Sequence, residues 1–506
     1  MRRAGRYTHR MTRAATSSSP PAQPLAGQVR RAVIWRSGSQ LVAQLVQWAA
    51  TFLVIRILDP HDYGLFAMTQ VVLVLLNMLN GYGLASGLIQ QKEVSDREIR
   101  QLFGMLIMLN GALALAQVAL APMIAAYYRQ PVVADILRVQ ALLYLTTPFI
   151  ALPYALLSRT MEFRHQATAN VAASMASAAA ALGGALAGLG VWTLVLAPLV
   201  LFTVRAAIMT GAAGSLVWPI FDPRGAGRLV RFGGVMAAGQ FFWFLQSQAD
   251  VFIAGRVFSP RLLGIYTTSL FLTQIFVSKF VPPLNEVAFS AYARIQEDPR
   301  ALAAAFTRAV RTVMTAAMPF YLGLAATAEP LVLTVLGPKW AEMIPLVRLL
   351  ALSMPFMTLQ VLLAPACDAR GRPGIGVRNG ATGALLLATS FLIGVHWGPR
   401  GLACAWVAAY PLYLAISLAR ALPVIGASAR GLADAVAPGL IGAIAMALVV
   451  VAVDRMLPEL DVLPRLAALV LTGVVVYAAW LALFARPLVR ELIATVRREP
   501  VQADWM

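Results

Sequence analysis

RAVIWRSGSQLVAQLVQWAATFLVIRILDPHDYG, residues 31–64, is echoed 200 positions later by RFGGVMAAGQFFWFLQSQADVFIAGRVFSPRLLG, residues 231–264. Arg31, Gln40, Leu45, Ala49, Phe52, Arg56, Pro60 and Gly64 match Arg231, Gln240, Leu245, Ala249, Phe252, Arg256, Pro260 and Gly264 without a gap. After the shared Pro-x-x-x-Gly, Leu65-Phe66 answers Ile265-Tyr266. Both copies lie in long apolar stretches, so the chain reads as a duplicated bundle of membrane helices.

Composition points the same way. Hydrophobic residues make up 59% of the 506 positions and charged residues 12%, against about 25% charged in a soluble domain. The surplus apolar surface must face lipid. The net charge is +19, but the arginines are scattered through short loops between apolar runs. A nucleic-acid site needs a clustered basic face with aromatic residues among it, so no nucleic-acid partner is expected. The two cysteines, Cys367 and Cys404, lie in apolar surroundings, and the four histidines are scattered. Neither set has metal-ligand or disulfide spacing.

The apolar runs predict an all-α polytopic membrane protein of about fourteen transmembrane helices. They fall near 33–57, 64–89, 102–126, 136–158, 168–189, 191–212, 233–257, 265–290, 306–329, 342–366, 379–397, 400–423, 433–454 and 464–485. Gly188-Leu189-Gly190 is taken as the tight hairpin that divides 168–212. The organisation follows as a basic cytosolic tail (1–31), a six-helix bundle (32–215), a second six-helix bundle (232–424), two additional helices (433–485) and a cytosolic tail (486–506). With both termini inside, most loop arginines and lysines fall on the cytosolic side, as the positive-inside rule requires. Spans 1 and 7 are six crossings apart and enter from the same side, so the bundles form a parallel and not an inverted repeat. Prolines interrupt many spans, among them Pro153, Pro319 and Pro365; neighbouring groups are expected to bond the carbonyls they free.

Polar residues inside spans mark where function is expected. Arg36, Gln40, Gln44, Gln47 and Thr51 recur at helical spacing on one face of span 1. Span 2 repeats this more weakly with Gln70 and Asn77, and span 7 carries Gln240, Trp243, Ser247 and Asp250. Such stripes cannot face lipid. They suggest a hydrated cavity, or hydrogen bonding within a closed bundle. Asp250 is an acid deep in a span, where charge is costly and commonly serves an ion or proton path. It could bind a coupling H+ or Na+, or pair with a nearby arginine. Lys279 could attract an anionic headgroup or snorkel to the surface. Arg56 and Arg256 lie about 160° around the helix from the stripe at 100° per residue, and frame a rim or hold the following turn. No catalytic constellation, P-loop or cofactor motif is present in the sequence. A transporter without a cofactor, and not an enzyme, is expected.

Several short segments carry a family resemblance: Ile57-Leu58-Asp59-Pro60-His61-Asp62-Tyr63-Gly64-Leu65-Phe66-Ala67, Gln248-Ala249-Asp250-Val251-Phe252-Ile253-Ala254-Gly255-Arg256 and Leu263-Gly264-Ile265-Tyr266. Phe289-Ser290-Ala291-Tyr292-Ala293-Arg294-Ile295-Gln296, Ala328-Glu329-Pro330-Leu331-Val332 and Leu336-Gly337-Pro338-Lys339-Trp340 continue the set. In this order the chain resembles the polysaccharide-transporter branch of the multidrug/oligosaccharidyl-lipid/polysaccharide exporter superfamily, the Wzx-type flippases. The resemblance implies a bacterial inner-membrane flippase for undecaprenyl-pyrophosphate-linked oligosaccharide units, feeding exopolysaccharide, capsule or O-antigen assembly. Its implied partners are the anionic lipid-linked oligosaccharide, membrane lipids, and a polysaccharide polymerase with its chain-length machinery. A drug or cation antiporter of the same superfamily and a membrane polymerase or glycosyltransferase are the alternatives. The latter needs a large external loop that the short gaps do not provide.

Overall fold

The computed structural model describes residues 42–80, 88, 94–160, 163–222, 226–457 and 460–484, with 226–240 described by backbone only. The tails 1–31 and 486–506, together with Arg36 and Gln40, lie outside the described residues. Among the described residues every regular element is helical. The first helices are α1 (Val42–Ile57), α2 (Pro60–Asn77), α3 (Asp96–Tyr128), α4 (Val132–Arg159), α5 (Phe163–Leu186) and α6 (Val191–Ala213). Then come α7 (Ala226–Val257), α8 (Pro260–Lys279), α9 (Val281–Arg294), α10 (Pro299–Ala326), α11 (Ala328–Val335), α12 (Ile344–Val361) and α13 (Leu363–Ala369). The chain continues with α14 (Gly374–Gly394), α15 (Gly398–Ile425), α16 (Ala429–Met456) and α17 (Val462–Phe484). By length and apolarity, nine helical stretches among the described residues can cross a membrane, one of them, Gly374–Ile425, being the α14–α15 pair. The protein is an all-α polytopic membrane protein, and its helices follow the spans read from the apolar runs.

The described residues up to Leu58 and from Met68 to Gln240 form one compact unit, and those from Asp59 to Ala67 and from Phe241 onward another. In the first, α3 packs on α4 through Leu102, Phe103 and Leu106 against Ala151, Leu152 and Ala155. Gly188 (φ 73°) and Gly190 (φ 55°) form the tight reversal between α5 and α6, a conformation that side chains resist. In the second, α10 lies along α16, α14 along α15, and α12 against α8, α10 and α15. The expected span 265–290 is two helices. Pro282 and Pro283 supply no N–H to the carbonyls four residues earlier, and α8 ends at Lys279.

Three other prolines each leave a carbonyl free that a side chain from another helix takes up. Pro153 frees the Phe149 carbonyl, which accepts from Thr210 Oγ1 at 2.9 Å. Pro319 frees that of Thr315, which accepts from the Tyr477 hydroxyl at 2.7 Å. Pro365 frees that of Val361, which accepts from Asn285 Nδ2 at 3.2 Å. In hydrocarbon an unpaired carbonyl costs several kcal/mol, so each bond both permits the bend and ties two helices together.

The duplicated Pro-x-x-x-Gly segments meet inside the second unit. A Cβ on Gly264 would stand 1.7 Å from the Pro60 carbonyl oxygen, and one on Gly64 would stand 1.8 Å from that of Pro260. The first turns of α2 and α8 therefore cross backbone to backbone, the close approach that small residues allow in membranes. Other shared segments gather around this proline end. Tyr63 stacks edge-on against the buried Trp340, with centroids 5.6 Å apart. Asp59 lies 3.5 Å from Lys339, and Arg261 lies 2.7 Å from Glu342. Arg465 grips Asp454 with Nε and Nη2 at 2.7 and 3.0 Å and approaches Glu329 at 3.8 Å, fastening the α16–α17 hairpin to α11.

Candidate functional site

α7 positions Asp250, and the second unit closes over it completely: its exposure is 0%. Oδ2 accepts from the Tyr266 hydroxyl of α8 at 2.7 Å, and Oδ1 from the Val251 amide at 2.8 Å. The Tyr266 oxygen in turn accepts from Trp406 Nε1 of α15 at 2.8 Å. Among the described residues no lysine or arginine forms an ion pair with Asp250. Of the two readings left open by the sequence, pairing with a described arginine is not what the structure contains. The carboxyl group is held by neutral donors instead.

The site extends along one face of α15. Trp406, Tyr410, Tyr413 and Ser417 recur at helical spacing and are all buried. Trp406 and Tyr410 stack nearly parallel at 5.0 Å, and Tyr410 meets Tyr413 edge-on at 5.9 Å. The Tyr413 hydroxyl accepts from Gln360 Nε2 of α12 at 2.9 Å. Gln246, one helical turn before Asp250, donates to the Gly380 carbonyl at 2.7 Å. Gly383 makes this packing possible, because a Cβ there would lie 2.6 Å from the Tyr413 ring and 2.9 Å from the Gln246 amide carbon. A carboxyl in such a setting can bind a proton, or a small cation together with hydroxyl and carbonyl oxygens.

Sequence reasoning named Asp250 but missed Tyr266, Trp406, Tyr410, Tyr413 and Gln246. The repeat contained part of the signal. In the same register Asp250 is matched by Ala50, and Tyr266 by Phe66. The second copy thus carries an acid–phenol pair where the first carries two apolar residues. Trp406 leaves no such trace, because only folding brings α15 beside α8.

The remaining candidates fall as follows. Gln44 and Gln47 of α1 are half-buried, and Gln47 Oε1 is shielded from solvent with no hydrogen-bond partner among the described residues. Asn77, the last residue of α2, is exposed and accepts from Asn80 Nδ2 at 3.5 Å. Gln240 lies on α7, with its side chain outside the described residues. Trp243 is 57% exposed, so the stripe on α7 is not a uniform face. Lys279 is exposed at the end of α8. Arg56 and Arg256 are exposed one turn before Pro60 and Pro260.

A family described as "Polysaccharide biosynthesis protein" matches residues 53–345. The chain belongs to that polysaccharide biosynthesis protein family. Its match includes α7 and α8, and so Asp250 and Tyr266. The lipopolysaccharide biosynthesis protein WzxC of Escherichia coli (strain K12) is 25% identical over 301 residues, 58% of this chain and 60% of WzxC. The succinoglycan biosynthesis transport protein ExoT of Rhizobium meliloti (strain 1021) is 27% identical over 332 residues, 65% of this chain and 67% of ExoT. The aligned region thus spans about three-fifths to two-thirds of these relatives. In fold, this polysaccharide biosynthesis protein is similar to the lipid II flippase MurJ in an inward closed conformation: TM-score 0.71, 12% identity, 90% of this chain and 100% of MurJ covered. It is also similar to an inward-facing multidrug resistance MATE transporter: TM-score 0.60, 14% identity, 76% and 94% covered. The family resemblance read from the sequence therefore holds.

Proposed function

We propose that the protein is a flippase of the bacterial inner membrane, with both termini cytosolic. It moves lipid-linked anionic oligosaccharide units from the cytosolic to the periplasmic leaflet by alternating access. These units feed exopolysaccharide, capsule or O-antigen assembly, with a polymerase and its chain-length machinery acting downstream. The family match across residues 53–345 carries this reading. WzxC and ExoT, named for lipopolysaccharide and succinoglycan, support a bacterial surface polymer as the product. Arg36, Gln40, Gln44, Gln47, Asn77, Gln240 and Lys279 meet the sugar and its anionic headgroup, while Arg56 and Arg256 frame the rim.

Coupling is assigned to Asp250, through H+ or Na+. A buried carboxyl without a cationic partner among the described residues gains most from binding a counter-ion in one conformation and releasing it in the other. The test is a proteoliposome assay with a lipid-linked oligosaccharide and an imposed H+ or Na+ gradient. Wild type should flip faster when the gradient of its coupling ion, H+ or Na+, is applied. Asp250→Asn, which keeps the shape but cannot ionise, should flip at the ungraded rate whatever the gradient. A variant that still responds removes Asp250 from coupling. Failure of the wild-type protein to move lipid-linked sugars, together with drug sensitivity in a deletion strain, would favour the drug-antiporter alternative.

A further inference from the structure

At the end of the second unit away from Pro60 and Pro260, the turn between α13 and α14 and the last turns of α15 line an open cavity of ≈ 920 Å³. That volume is in the range of small-molecule sites. Among the described residues Arg370, Arg372, Arg378 and Arg420 line it, and no carboxylate does.

Two of the four guanidinium groups are fastened. Arg370 donates from Nε to the Val424 carbonyl at 3.3 Å and from Nη1 to the Gln296 carbonyl. Arg420 Nη1 donates to Thr382 Oγ1 at 2.8 Å, to the Arg378 carbonyl at 3.2 Å and to Asn379 Oδ1 at 3.3 Å. All these acceptors are neutral, so they fix the position of each charge without cancelling it. Arg372 and Arg378 are exposed, and their side chains have no hydrogen-bond or ion-pair partner among the described residues. α14 starts here, bringing the positive end of its dipole. Gly374 and Gly376 leave open space where side chains would otherwise stand. Arginines that merely satisfied the positive-inside rule would be solvated singly. Here two are held in place while two others remain free to close on a ligand.

We propose that this cavity binds a diphosphate group. Guanidinium forks match phosphate oxygens two at a time, and four of them suit a group with several negative charges spread over two phosphorus centres. The diphosphate could belong to a prenyl lipid at the bilayer surface or to a free soluble compound. The proposal deepens the flippase reading and rests on it only for the lipid source.

The experiment uses the full chain in phosphatidylcholine nanodiscs, with inorganic pyrophosphate and a membrane-incorporated prenyl diphosphate as probes. Wild type should bind saturably and more weakly as salt rises. Arg372→Gln and Arg378→Gln should each weaken binding roughly tenfold, the size of one charge-assisted hydrogen bond. Because both residues are exposed, the unfolding midpoint should not change. Binding of the prenyl diphosphate well above that of pyrophosphate assigns the lipid source, and equal binding assigns the soluble one. No saturable binding of either probe, or undiminished binding in the double variant, overturns the proposal. A protein that binds through these arginines but moves no lipid-linked sugar would sink the flippase reading and leave the cavity assignment standing.

Discussion

Gly264→Ala should separate the two copies of the repeat. The new Cβ would lie 1.7 Å from the Pro60 carbonyl oxygen and 2.9 Å from the Gly64 nitrogen. A comfortable C···O contact is about 3.3 Å, so α2 and α8 must part by about 1.6 Å. No rotamer change relieves this, because every atom involved is backbone or Cβ. Overpacking of this kind costs about 1–3 kcal/mol, and a rigid contact belongs at the upper end. The assay is the thermal unfolding midpoint of the purified protein in detergent, with Gly64→Ala alongside. Each single variant should lower the midpoint by several degrees. The double variant should lose less than the sum, since one displacement relieves both overlaps. Gly111→Ala is the control: nothing lies within 4 Å of its Cβ, and alanine suits a helix interior better. Equal stability of Gly264→Ala and wild type, or an equal loss in Gly111→Ala, would refute the crossing.

Tyr266→Phe removes a donor from the buried Asp250 carboxyl and should cost about 1–3 kcal/mol in stability, read by the same melt. Adding Asp250→Ala restores the apolar pair found at Ala50 and Phe66, and should recover most of that stability while abolishing gradient-driven flipping. Arg465→Gln should lower the midpoint by loosening the α16–α17 hairpin; Arg465→Lys should not restore it, because a single ammonium cannot reproduce the bidentate grip on Asp454. Arg129 caps α3 at φ 56°, so Arg129→Gly should raise the unfolding midpoint, by up to about 1 kcal/mol in stability.

The fold was legible because a membrane helix announces itself locally. About twenty apolar residues in a row need no partner to be identified. The Gly188-Leu189-Gly190 reversal was readable for a similar reason, since two glycines two positions apart permit backbone angles that other residues resist. The break at Phe280 was less legible. A proline in a membrane helix can bend it or end it, depending on what the neighbouring helices offer the freed carbonyls. The roles of Tyr477 and Asn285 in bonding such carbonyls could not be read from their own surroundings in the sequence.

The sequence alone determined the repeat, the apolar spans and the place of Asp250 within one of them, because each rests on spacing and composition along one helix. Only the tertiary structure decided that the duplicated glycines touch each other's partner proline, that Tyr266 and Trp406 hold the carboxyl, and that four arginines converge on one cavity. Those facts depend on which helix lies beside which. Packing sets that, and the periodicity of a single helix does not record it.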